Sequence, residues 1–182
     1  MMDLALHILD LVYNSIRAHA KHIKITLLDS EEKDLIEMSI VDDGDGMSEE
    51  MLAQVQNPFV TSRTTRKVGL GVAFISQLAK DCDGVFKITS KLGEGTCLML
   101  TLKRSHIDVP PWGDLGETLA TIIQGDSTYD VSFTYQNDEG EFILDTKIIK
   151  ELVAPVAISD AAIVIWLKDY VNEGLAALRR TK

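Results

Sequence analysis

Three short stretches of this chain carry side chains and glycines at spacings that could do chemistry. They are Asp10-x-x-x-Asn14, then Asp42-Asp43-Gly44-Asp45-Gly46, then Gly69-Leu70-Gly71. On a helix, residues four apart share one face, so Asp10 and Asn14 would stand one turn from each other. The Asn14 amide offers a neutral oxygen of the hard kind that Mg²⁺ prefers, and Mg²⁺ keeps several waters besides. A carboxylate one turn away could orient or deprotonate a nucleophile near the same ion. Asp10 is therefore the candidate catalytic residue and Asn14 the candidate metal ligand.

The second stretch leaves an apolar run abruptly at Val41. Glycines at alternate positions, Gly44 and Gly46, let backbone approach a flat ligand closely and adopt positive φ. Asp42, at the end of that run, could accept a hydrogen bond from an exocyclic amine, and a buried acceptor of this kind discriminates strongly between donors. A twelve-residue calcium loop is a poor alternative, because its ligand pattern breaks after Gly46. In the third stretch, glycines ahead of a helix expose amides, and a helix N-terminus favours phosphate oxygens. Arg63, Arg66 and Lys67, in the polar segment just before it, could close over phosphates or form a solvated loop.

The elements that must position these residues follow from periodicity. Apolar residues from Leu4 to Ile16 predict an amphipathic helix over 3–20. Strands are predicted at His22–Leu28 and Leu35–Val41, with Asp29–Asp34 as the turn between them. Ser48 with Glu49 and Glu50 opens a short helix that Asn57-Pro58 ends. The polar run 61–68 predicts a mobile loop, and a helix follows over Gly71–Asp81. Val85–Ser90 and Thr96–Leu102 predict a hairpin across Leu92-Gly93-Glu94-Gly95. This order predicts an α+β fold, a layer of helices on one sheet. Pro110-Pro111 marks a boundary. Beyond it the sequence predicts a helix near Asp114–Gln124, a hairpin around Asn137–Gly140, and helices near 146–152 and 159–178, none with a motif of interpretable chemistry.

Composition sets limits. A formal net charge of −10 argues against non-specific nucleic-acid or anionic-membrane binding, which needs stripes of Lys and Arg. Residues 1–104 hold 12 basic and 15 acidic side chains, whereas 105–182 hold 6 and 13, so the part nearer balance is the one expected to receive a polyanion. Cys82 and Cys97 have neither a CxxC nor a metal-ligand spacing, and are expected to be reduced thiols in the core of a cytoplasmic protein. No apolar run approaches the roughly 18 residues of a membrane span, and no signal-peptide pattern opens the chain. The chain begins almost at the Asp10 motif, with no leading strand or dimerisation helix, so it is expected to depend on a partner, or on residues 105–182, to cover a sheet edge.

The motifs resemble the GHKL superfamily of ATP-binding proteins, which includes DNA gyrase, heat-shock chaperone, histidine-kinase and mismatch-repair ATPase domains. Ile8–Ala18 looks like its N box, Val41–Met47 its Asp-x-Gly-x-Gly box, Gly69–Gly71 its second glycine box, and Gly93-Glu94-Gly95-Thr96 its Gly-x-Gly-Thr element. The similarity covers residues 3–104, and Pro58-Phe59-Val60-Thr61 with the short lid is most like the catalytic domain of sensor histidine kinases. The resemblance implies a two-layer α/β sandwich of the Bergerat type, here with a small C-terminal α+β appendage over 105–182. It implies ATP and Mg²⁺ as cofactors, with Asn14 on the ion and Asp42 reading the adenine amine, helped by Thr96 through a water. Gly44, Gly46 and Met47 would pack on the base. Arg17, Ala18, Thr61, Ser62, Arg63, Lys67, Gly69, Leu70, Gly71 and Val72 would line the ribose and phosphates.

Two departures from the family pattern stand out. Asp10 occupies a position where hydrolytic members carry Glu, one methylene longer, so hydrolysis is expected to be slow. Lys67-Val68 replaces an extra glycine of the lid. His7, His19, His22 and His106 lack the context of a phosphoacceptor histidine, and His7 is expected to pack structurally. The chain is thus expected to act as a stand-alone regulatory ATPase or a kinase on a separate protein, or as an ATP-dependent binding module.

Overall fold

The computed structural model describes residues 3–56, 70–125 and 128–179. A six-stranded sheet in the order β3-β4-β2-β1-β5-β6 forms one layer, and helices cover one of its faces. The strands are β1 (His22–Ser30), β2 (Leu35–Asp42), β3 (Val85–Lys91), β4 (Gly95–Lys103), β5 (Asp130–Asn137) and β6 (Gly140–Asp145). The helices are α1 (Leu4–Arg17), α2 (Glu49–Gln56), α3 (Leu70–Asp81), α4 (Leu115–Gly125), α5 (Thr146–Val153) and α6 (Ala161–Arg179). This is the expected α+β sandwich. Above the strands, α3 touches α1, α1 touches α4 and α4 touches α6.

Alternation along each strand decides which face is covered. Ile23, Ile25 and Leu27 of β1, Met38 and Ile40 of β2, and Leu98, Leu100 and Leu102 of β4 all point into the helix layer and are buried. They meet Leu4, Ile8, Leu11 and Val12 of α1 and Ile75 of α3, whose helical spacing forms one apolar stripe. Asp3 starts α1 by accepting a hydrogen bond from the Leu6 amide at 2.9 Å. The helix ends where His19 adopts a φ of 60°.

Residues 105–182 do not build a sheet of their own. β5 joins the edge of β1 in parallel, with Ile23 opposite Val131 and Leu27 opposite Tyr135. The edge strand β6 pairs antiparallel with β5. Gly116 of α4 lets α6 approach, since a side-chain carbon there would lie 2.5 Å from the Asn172 Oδ1 atom.

Two local expectations change. β1 runs through Asp29 and Ser30, which pair with Ile36 and Leu35, so the turn is shorter than the acidic run 29–34. Both polar side chains are kept by distant partners: Asp29 accepts from Arg104, Trp112 and Tyr135, and Ser30 donates to Asp138. Both thiols are free, but only Cys82 is in the core; Cys97 is half-buried on the open face of the sheet, opposite Val41 and Thr89. The polar run 61–68 and Asn57-Pro58 lie outside the described residues.

Candidate nucleotide site

The motif residues gather at one end of the sheet, beneath the C-terminal half of α1. Antiparallel pairing places Ser90, Thr96 and Asp42 in one row across β3, β4 and β2. Directly opposed residues on paired strands point to the same face. That face is the one toward the helices, as the neighbouring buried Ile88, Leu98 and Ile40 require.

Asp42 is 7% exposed, and both of its carboxylate oxygens are held. Oδ2 accepts from the Ser15 hydroxyl at 2.6 Å, and Oδ1 accepts from the Gly44 amide at 2.9 Å. A carboxylate oxygen has a second lone pair, so each retains capacity for one more donor. Ser15 is itself buried at 3% exposure, one residue after Asn14 on α1.

Glycine is sterically required at three positions in and beside the loop, the first being Gly44, where a side-chain carbon would lie 2.6 Å from the Ala18 carbonyl oxygen. Gly46 has φ +65°, and a side-chain carbon there would lie 2.0 Å from the Lys91 carbonyl oxygen. Gly95 has φ +105°, and the same carbon would lie 1.9 Å from the Asp42 carbonyl oxygen. Backbone bonds then fix the loop between α1 and the β3–β4 turn: the Asp45 amide donates to the Ala18 carbonyl at 2.7 Å, and the Gly93 amide to the Asp45 carbonyl at 2.7 Å.

The two intervening acids hold the loop from outside. Asp43 accepts from the Lys21 and His22 amides at 2.7 and 2.8 Å, and from the His22 ring at 2.7 Å. Burial pushes its carboxyl up, but the His22 amide and ring and the Lys21 amide outweigh that and hold it at about 2. Asp45 pairs with the His19 ring at 2.7 Å.

Met47, just after Gly46, donates its amide to the Ser90 hydroxyl at 2.9 Å. Ser90 Oγ lies 2.8 Å from the Gly95 carbonyl and 3.0 Å from Thr96 Oγ1. A depression of about 280 Å³ opens at this sheet end, lined by Val41, Thr89 and Cys97 of the open face as well as by Asp42, Ser90 and Thr96. A larger cleft of about 510 Å³ runs along α6 at Asp169, Asn172, Glu173 and Ala176, and no motif residue lines it. The motif residues, not the larger cleft, mark the candidate site.

Asp10 is exposed on α1, and Asn14 is half-buried one turn on. Gly71, at the start of α3, packs beside Asp10: a side-chain carbon on Gly71 would sit 3.4 Å from the Asp10 Cβ and 3.8 Å from its Oδ2. The N box and the second glycine box thus meet. Val72 is buried in the core beside them, Ala18 is half-buried at the Asp42 loop, and Arg17 is exposed. Thr61, Ser62, Arg63, Arg66, Lys67 and Gly69 lie outside the described residues, as does the side chain of Leu70. Among the described residues no group of three or more His, Cys, Asp or Glu could hold a metal by itself. An ion held by Asn14 would therefore need phosphate and water oxygens, which suits Mg²⁺.

His7 is buried on α1, as expected of a packing residue, and burial lowers its imidazole below the ordinary value against the pull of Asp10 and Asp3. Its Nδ1 has no hydrogen-bond partner among the described residues. Two site residues escape a sequence reading, Ser15 and Ser90. The signal was positional: one follows the N-box asparagine, and the other sits at the foot of the hairpin six residues before Thr96.

Residues 2–106 match the family model described as histidine kinase-, DNA gyrase B-, and HSP90-like ATPase. The non-motile and phage-resistance protein of Caulobacter vibrioides is 40% identical over 80 residues, 41% of this chain and 10% of that protein. Sporulation kinase C of Bacillus subtilis is 29% identical over 94 residues, 52% of this chain and 22% of the kinase. The chain thus spans less than a quarter of either relative's length. The ATPase domain of Aquifex aeolicus MutL complexed with ADP superposes with a TM-score of 0.54 at 15% identity, over 84% of this chain and 69% of that one. The N-terminal domain of a DNA repair protein superposes with a TM-score of 0.51 at 17% identity, over 87% of this chain and 59% of that one. Both matches cover more of the chain than residues 2–106 contain, so the shared fold takes in part of the extension. Among the described residues no helix is long and apolar enough to cross a membrane. With the motif row, the fold and the family model in agreement, the chain belongs to the histidine kinase-, DNA gyrase B- and HSP90-like ATPases.

Proposed function

We propose that this chain binds ATP with Mg²⁺ at the C-terminal end of β2 and acts, in a regulatory role, as a histidine-kinase-like ATPase or as a kinase on a separate protein. The observation that carries the reading is Asp42: a buried carboxylate, held at both oxygens, beside glycines whose positions admit no side chain. Such an acceptor suits the adenine amine, because a base without the donor leaves it unpaired. Thr96 supports the same edge of the base, while Gly44, Gly46 and Met47 pack against its face.

Asn14 would hold the ion, which supplies charge neutralisation to the phosphates when bound. Asp10 would accept the proton of the attacking water or of a partner's hydroxyl. Gly69, Leu70 and Gly71, with Thr61, Ser62, Arg63 and Lys67, would receive phosphates at the α3 N-terminus. Arg17 and Ala18 would complete the ribose and phosphate walls, with Val72 supporting them from the core. Residues 1–104 carry this chemistry in our reading, and 105–182 form the extension. Leu152, Ile165 and Trp166 of the extension are exposed and give a protein partner an apolar surface. Two free thiols suit a reducing, cytoplasmic setting.

A second reading, an ATP-dependent binding module with little turnover, is favoured by Asp10 itself. It is exposed and shorter than the glutamate of hydrolytic relatives. Phosphate release from wild type and Asp10→Ala separates the two. A loss on the order of 10²-fold in the variant supports catalysis by Asp10; equal turnover removes that role and leaves the module.

A further inference from the structure

Ser90 has a fixed hydrogen-bond inventory, and its neighbours use all of it. A serine hydroxyl offers one proton and two lone pairs. The Met47 amide, which can only donate, takes one lone pair at 2.9 Å. The Gly95 carbonyl oxygen, which can only accept, lies 2.8 Å away, so the Ser90 proton lies between them; two oxygens at that separation with no proton would repel. The remaining neighbour is Thr96 Oγ1 at 3.0 Å. With the serine proton spent, Thr96 must be the donor in that contact.

The consequence reaches the nucleotide pocket. Thr96 has one hydroxyl proton, and Ser90 holds it. Beside it, opposite on β2, Asp42 offers carboxylate oxygens, with Ser15 and the Gly44 amide supplying the donors on the protein side. We propose that Ser90 is a specificity-determining residue: by holding the Thr96 proton it makes this edge of the pocket an all-acceptor surface. Such a surface accepts the amine of a 6-aminopurine and repels the carbonyl of a 6-oxopurine. The inference rests on the reading of Asp42 and Thr96 as the base-recognition pair. It adds that neither residue sets the polarity of the edge alone.

The test is calorimetric titration of the full chain with ATP and with inosine triphosphate, which replaces the 6-amino group by a 6-oxo group and turns N1 from an acceptor into an N1–H donor; the comparison concerns position 6, the group that Thr96 and Asp42 face in this reading. Wild type is expected to prefer ATP by roughly 10²-fold. In Ser90→Ala the Thr96 proton is released to meet the 6-oxo oxygen, so the preference should fall roughly tenfold, chiefly through tighter inosine triphosphate binding. Thr96→Val provides a second route if Ser90→Ala fails to fold. As a pure acceptor, Thr96 should be missed by ATP, with roughly tenfold weaker binding, and not by inosine triphosphate. The inference is overturned if Ser90→Ala keeps the wild-type preference, or if Thr96→Val weakens inosine triphosphate as much as ATP. Absence of ATP binding by folded wild type would instead remove the nucleotide reading, and this inference with it.

Discussion

Ser15 Oγ donates a hydrogen bond to Asp42 Oδ2 across 2.6 Å, in a spot where Ser15 is 3% and Asp42 7% exposed. The bond ties the N-box helix to the end of the central strand, so the part of the site that would hold an ion and the part that would read a base share one buried contact. Ser15→Ala leaves a carboxylate oxygen in the core without that donor. We predict a loss of about 1–3 kcal/mol in chemical unfolding, together with weaker ATP binding. A variant as stable as wild type would show the contact to be energetically idle.

The loop glycines permit a graded prediction. Gly95→Ala and Gly46→Ala would drive a side-chain carbon to 1.9 and 2.0 Å from backbone carbonyl oxygens, at φ +105° and +65°. Neither backbone oxygen can swing aside, so each variant should lose more than about 3 kcal/mol or fail to fold. Gly93 has φ +79° but meets nothing within 4 Å. Gly93→Ala should therefore cost only the left-handed backbone penalty, about 1 kcal/mol. Thermal unfolding of the three ranks them, and equal costs would contradict the clash argument.

Much of this was legible in the sequence because it is local. The apolar stripe of α1, the alternation of β1 and β2, and the hairpin glycines at 93 and 95 each specify their own element. The parallel docking of β5 on β1 was not, since it joins residues about a hundred positions apart and depends on which face of α4 is left to cover the sheet. Ser15 and Ser90 were hidden for a related reason. A serine is neutral by composition, and only the sheet register shows that Ser90 meets Thr96 and that α1 lowers Ser15 onto Asp42. Asp29 read as turn because an isolated carboxylate in a strand is costly, and its three donors are distant in sequence.

Asp43 gives the stability a pH dependence of definite sign. Its carboxyl is held at about 2, below the ordinary aspartate value of about 3.9. A lowered value in the folded state means the contribution is fully present above about pH 4 and is lost as pH falls toward 2. Full conversion of the shift would exceed 2 kcal/mol, but the side chain is 45% exposed, and solvent screening leaves about 1 kcal/mol. Asp43→Asn should be less stable by about that amount at pH 7, and the difference should shrink away as pH falls through 2. Parallel stability curves from pH 5 to 2 would contradict the assignment.

Asp29 fastens the extension to the sheet. It accepts from Arg104 Nε at 2.6 Å, Trp112 Nε1 at 2.8 Å and the Tyr135 hydroxyl at 3.2 Å. Asp29→Ala strands these donors in a partly buried place, and we predict a loss of about 2–3 kcal/mol. The Trp112 emission should shift to longer wavelength as its indole finds water. Stability loss without a change in emission would mean that Trp112 keeps its place by packing alone.

The central claim is that Asp42 reads a nucleotide base. Calorimetric titration of wild type and Asp42→Asn with ATP and Mg²⁺ tests it most directly, because asparagine keeps the shape and removes the charge. The account predicts saturable one-to-one binding by wild type and a loss of at least roughly 10²-fold in the folded variant. No binding by wild type, or equal binding by both, would contradict it.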